Sequence, residues 1–194
     1  DRALLDRQYD CVCYDPETGL SRDELRAEAG ALEERLSGEA PIRVKAALFK
    51  LTLENARIHV DEFDWIADHI DYGDTLSDLR GRQWTDSGLK AIGAPVDPLA
   101  ESGLLTAGLD ISHTSPDWAR LLALGLYGLQ SAAETRREQL AAENALTTRR
   151  RDFLDSVIMV YGAMRTLCRR LSAQAGKEAA RHPGDAERLR AVSA

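Results

Sequence analysis

Cysteine is scarce in the 194 residues, occurring three times, and Cys11 and Cys13 stand too close together for an ordinary disulfide with each other. A disulfide-stapled secreted scaffold is therefore excluded, and a reducing compartment is expected. Long apolar runs are missing as well. The longest, residues 121–129 and 157–164, fall well short of the roughly 18 to 20 residues that cross a bilayer, and no basic-then-apolar leader opens the chain. No membrane contact and a cytoplasmic location are expected. Basic charge is in deficit, 25 Lys and Arg against 32 Asp and Glu for a net charge of −7, which disfavours a phosphate-neutralising nucleic-acid surface. No P-loop, GxSxG or GxGxxG is present, so the usual motif routes to an NTPase, a hydrolase or a dehydrogenase are closed. No internal repeat is evident. What remains is a chain with 44 % hydrophobic residues, enough for one ordinary domain with a genuine core.

Gly and Pro supply the punctuation, and the segments between them read mainly as helix. Ser21 stands three residues before Glu24, the capping-box spacing, and Leu25, Ala29, Leu32 and Leu36 follow at helical intervals, predicting a helix over 22–36. A second helix runs from Val44 to near Arg57, and 58–60 looks extended. Residues 61–78 read as mostly irregular, and 86–108, rich in Gly and Pro, as a long loop folded over a larger body. Ser115 as cap, Pro116 in the first turn and Asp117 at the positive dipole end predict a helix over 116–144. Another over 148–181 carries an apolar stripe wide enough to be buried on more than one side, and closes at His182-Pro183-Gly184. Asp185 opens a short terminal helix through Leu189 to Val192. The expected organisation is a single partial domain: an arm and first helix over 1–43, a helix plus an irregular region over 44–115, and long helices over 116–194.

Three groups of residues could carry chemistry. His59, Asp61, Asp64, Asp68, His69, Asp71 and Asp74 offer imidazole and carboxylate in one short segment, the donor types of a divalent metal. Their spacing matches neither HExxH nor an EF-hand, so helix caps and solvated charges are the preferred reading, and no metal is expected. Cys11-Val12-Cys13 could bind a soft metal or exchange disulfides, but without a second pair it reads as a packed strand or arm. Cys168 falls in the apolar stripe of a long helix, where a neutral thiol is ordinary core filling. The third group is the approach to the 116–144 helix. There His113 either hydrogen-bonds a polar ligand beside a helix amino terminus or, together with Thr114, satisfies backbone groups of the turn; the two readings stand level.

The run Gly108-Leu-Asp-Ile-Ser-His-Thr-Ser-Pro-Asp-Trp-Ala-Arg-Leu-Leu-Ala-Leu-Gly-Leu-Tyr-Gly-Leu129 resembles the Gly-His-Thr-x-Pro-Asp-aromatic stretch of glycyl radical enzymes, the pyruvate formate-lyase and glycerol dehydratase family. Downstream, Arg150-Arg-Asp-Phe-Leu-Asp-Ser-Val-Ile and Arg170-Leu-Ser-Ala-Gln-Ala175 are similar to that family's Arg-x-Phe-Tyr-x-Ala-x-Ile helix and its Arg-Tyr-Ala-x-x-Ala ending, in the same order. Upstream, Val44-Lys-Ala-Ala-Leu to Asn55-Ala-Arg-Ile-His-Val-Asp61 resembles the early family helix and the extended segment after it. Asp110-Ile-Ser departs from the more usual glycine before the histidine, and Ala67-Asp68 stands where many relatives read Val-Gly.

The resemblance implies a mainly α chain: the amino-terminal helical part of an enzyme whose core is a ten-stranded α/β barrel, with a long irregular middle region and short strands. It also implies radical lyase, dehydratase or decarboxylase chemistry on a small organic substrate, in an anaerobic, cytoplasmic, homo-oligomeric enzyme. The family's radical glycine lies in an Arg-Val-x-Gly loop and its thiyl cysteine in a Gly-Cys context. Neither motif occurs here, so no catalytic residue is assigned to this chain, and no cofactor is expected to bind it directly. The glycyl radical is expected elsewhere in the full enzyme, installed by a radical SAM activating enzyme. Expected partners are therefore the substrate, the activase, and the remainder of the enzyme or a complementary subunit. The loop matching His113 reaches the substrate pocket in the family, which implies substrate binding for His113 and a supporting position one layer out for Asp117. The alternative is a non-catalytic helical protein-interaction domain or subunit, which the broad apolar stripe would also explain.

Overall fold

The computed structural model describes residues 14–72, 98, 101–103 and 117–193. Its first helix, α1 (Arg22–Arg35), begins where the capping box places it. The Ser21 amide donates to Glu24 Oε2 at 2.7 Å, and the Glu24 amide to Ser21 Oγ at 3.4 Å. Helix α2 (Pro41–Asn55) starts three residues before the periodic signal at Val44, because Pro41 at the first helical position has its φ preset and no amide to waste. The two helices pack through Ala29 and Leu48, flanked by Leu32, Val44 and Leu51.

Beyond α2 the chain extends, as the β-branched residues predict, into β1 (Ile58–His59). β1 pairs antiparallel with β2 (His69–Ile70), Ile58 opposite Ile70 and His59 opposite His69. This second strand interrupts the stretch expected to be irregular. Two residues are too few to leave a period of two in a sequence.

Helix α4 (Thr148–Arg181) is the spine of the molecule, with the bounds expected from the sequence. The Thr147 hydroxyl accepts from the Arg150 amide, and the helix stops at His182, ahead of Pro183. Its carboxyl-terminal half buries Leu171, Ala175 and Ala179 against Ile58, Val60 and helix α5 (Ala186–Ser193), whose Leu189 is fully buried. Its amino-terminal half packs Leu154 against Ala133 and Leu140 of α3 (Trp118–Ala142). With α2 on a further side, the wide apolar stripe is covered by several neighbours, as its width requires. The α3–α4 turn is a Schellman closure. Asn144 takes the left-handed conformation at φ 53°, and the amides of Asn144 and Ala145 donate to the carbonyls of Ala141 and Leu140.

Three further expectations change. The residue capping α3 is Asp117, not Ser115: the Asp117 backbone is outside the helical region, and its carboxylate accepts from the Arg120 amide at 3.0 Å. α3 is also broken inside, at Gly125, whose φ of 61° and ψ of 179° are open to glycine and strained for any residue with a Cβ. Cys168 is exposed rather than core filling, because α4 turns this position away from its partners. The expected loop over 86–108 falls almost wholly outside the described residues, as do Cys11, Cys13, Asp74, His113, Ser115 and Pro116.

Candidate functional site

Asp117 is the one described member of the pair singled out at the start of α3. Its carboxylate is engaged by the first turn of the helix, so it fixes where α3 begins. Directly behind it lies apolar surface that the described residues leave open: Trp118 is 58 %, Leu122 81 % and Tyr127 66 % exposed. The helix is anchored past the Gly125 break, where Arg165 of α4 donates to Gln130 Oε1 at 2.9 Å and lies 4.8 Å over the Tyr127 ring. Further along, Arg137 donates to Asp155 at 2.8 Å, and that hydrogen bond raises the guanidinium above its ordinary value.

The acidic segment behaves as a closed turn. Asp64 accepts the Asp61 amide at 2.8 Å, and Asp61 accepts the Phe63 amide at 3.0 Å. Each histidine of the cross-strand pair faces its own carboxylate, His59 that of Asp61 at 3.6 Å and His69 that of Asp64 at 3.5 Å, while the rings stand 6.1 Å apart. Asp68 is the farther partner of His69, at 4.0 Å. Asp71 is buried and paired with Arg22 Nε at 2.5 Å. Among the described residues no three His, Cys, Asp or Glu side chains are gathered where an ion could be held.

Sequence reasoning gave no role to Arg170, whose guanidinium serves three backbone carbonyls. From α4 it donates to the carbonyls of Leu53 at 2.7 Å, Thr18 at 2.8 Å and Ala56, tying the end of α2 and the turn before α1 to the spine. Burial pushes its guanidinium below the ordinary value, and the Glu54 carboxylate opposes that shift. The signal was an arginine set between Leu167 and Leu171, within the apolar stripe itself.

A family model described as pyruvate formate lyase-like matches residues 72–194, well over half of the chain. The chain belongs to the pyruvate formate lyase-like family. No curated protein and no solved structure matches it. In this pyruvate formate lyase-like chain the matched region takes in α3, α4 and α5, Arg170 and the segment that carries His113. The described part is mainly helical, with two strands of two residues each. No helix among the described residues is long and apolar enough to cross a membrane.

Proposed function

We propose that the chain is the amino-terminal helical part of a glycyl radical enzyme, supplying scaffold and one wall of the pocket in which a small organic substrate reacts by radical lyase, dehydratase or decarboxylase chemistry. The family match over residues 72–194 carries this reading. The open apolar surface at the front of α3 supports it, since Trp118 and Leu122 invite a covering body such as the rest of the barrel enzyme. In this arrangement 1–43, 44–115 and 116–194 form one partial domain. The full enzyme is cytoplasmic and homo-oligomeric, and is served by a radical SAM activating enzyme.

The radical itself does not fit the residues present. None of Cys11, Cys13 and Cys168 follows a glycine, no Arg-Val-x-Gly occurs, and the Cys168 thiol stands exposed on α4. The role left to this chain is to hold and orient. His113 gives the substrate a directional hydrogen bond, and Asp117 supports it by setting the start of α3.

The test is His113→Ala in the complete, activated enzyme, with turnover normalised to radical content and thermal unfolding measured in parallel. A stable, fully radical-bearing variant with collapsed turnover is expected. Normal normalised turnover with a loss of about 1 to 2 kcal/mol of stability would assign the imidazole to the turn instead.

A further inference from the structure

Two cavities on the seam between α2 and α4 meet at Ile42. The first, a cleft of about 870 Å³, has an apolar floor that includes Ile42, Leu154 and Phe153, the last 53 % exposed. Arg136 from α3 and Arg149 and Arg150 from α4 line the same cleft, and among the described residues no carboxylate does. Arg136 donates to the Gln139 amide oxygen and Arg150 to the Ala145 carbonyl, so neither meets a counter-charge there, and Arg149 has no partner among the described residues. The carboxylate next in sequence, Asp152, is paired with Arg43. In a chain of net charge −7, three guanidiniums with no acid beside them among the described residues concentrate positive charge over apolar surface. The second cavity, a groove of about 330 Å³, continues along Phe49, Val157, Val160 and Tyr161, with Lys45 on its wall. From Arg149 to Tyr161 the helical rise spans about 18 Å.

We propose that this seam binds a single-chain amphiphilic anion, its carboxylate or phosphate head among Arg136, Arg149 and Arg150 and its alkyl tail in the groove that ends at Tyr161. Guanidinium forks suit such heads because they present paired donors. The apolar continuation makes binding depend on tail length, which a bare ion site would not do. The charge at one end of the seam selects an anion over a neutral lipid or alcohol.

Calorimetry of the whole protein with monomeric decanoate, acetate and decanol tests this. Decanoate should bind at least tenfold more tightly than either of the others, and affinity should rise about fourfold per methylene from hexanoate to decanoate. The double substitution R149Q/R150Q should weaken decanoate at least tenfold and leave decanol unchanged. Ile42→Asp, at an exposed position where the cavities meet, should weaken both decanoate and decanol with the arginines intact, since both tails cross it. Decanoate binding no tighter than acetate or decanol, a flat chain-length series, or unchanged affinity in either folded variant overturns the proposal. Should the substituted proteins not fold, the chain-length series on the unaltered protein still decides. Vesicles of anionic phospholipid separate the free chain from a membrane. Capture that decanoate displaces supports the seam, whereas capture that decanoate leaves untouched overturns it in favour of a lipid surface.

Discussion

Arg170 on α4 donates to the carbonyl of Leu53 at the end of α2, 2.7 Å away across 117 residues of sequence. The last turn of a helix leaves carbonyls without intrahelical donors, and here one guanidinium serves Leu53 and Ala56 of that turn together with Thr18. Arg170→Ala should cost about 2 to 4 kcal/mol, since it orphans several half-buried acceptors at once. Arg170→Lys should recover only a minor part, because an ammonium lacks the planar fork. Denaturant unfolding measures both; a loss below about 1 kcal/mol for the alanine variant contradicts the assigned role.

Gly19 and Gly30 should respond in opposite directions to the same substitution. A Cβ on Gly19 would lie 2.3 Å from the Asn55 carbonyl oxygen and 2.7 Å from that of Ala56, backbone atoms that cannot step aside. On Gly30, inside α1, it would meet nothing within 4 Å. Gly19→Ala should therefore destabilise by about 2 kcal/mol or more, and Gly30→Ala should stabilise by about 0.5 to 1 kcal/mol. Paired thermal melts give the sign of each.

The capping box of α1 predicts an acid-sensitive helix start. The Ser21 side chain and then its backbone amide, both donating to Glu24, hold that carboxyl below its ordinary value. A carboxyl depressed in the folded state adds stability above its unfolded value and loses it as pH falls through the folded one. Glu24→Gln should remove this contribution near neutrality and flatten the acid limb of the stability profile. Ser21→Ala should cost about 1 kcal/mol at neutral pH. Urea unfolding across the acid range checks both; an acid limb unchanged in Glu24→Gln contradicts the linkage.

The open face at the front of α3 should make the isolated 194-residue chain self-associate and bind a dye that reports apolar surface. Leu122→Glu, at a position 81 % exposed, should reduce both effects without loss of helix content. Light scattering that shows a monodisperse monomer, with no dye bound, would count against a missing covering body.

Two helix ends were legible from cap and stop residues, while the cap of α3 was read two residues early. The His182-Pro183-Gly184 stop gave the end of α4, and Ser21 with Glu24 gave the start of α1. The β1–β2 pair was not legible, because two-residue strands are chosen by tertiary contact, here His59 against His69, and not by a local pattern. Arg170 escaped for a related reason: its acceptors lie far away in sequence, and the local pattern around it is that of an ordinary amphipathic helix. The loss of Cys168 from the core shows the limit of reading a stripe, which fixes spacing along α4 but not how much of its circumference neighbours cover.

A helix interrupted at its eighth residue has two axes instead of one. Because Gly125 sits at φ 61° and ψ 179°, residues 118–124 and 126–142 do not share a helical phase. The side chains that face α4 behind the break therefore say nothing about which way Trp118 and Leu122 are aimed in front of it. Behind the break, Gln130 and Arg137 hold residues 126–142 to α4. The direction of residues 118–124 is therefore set at Gly125 and not by the contacts of residues 126–142 with α4.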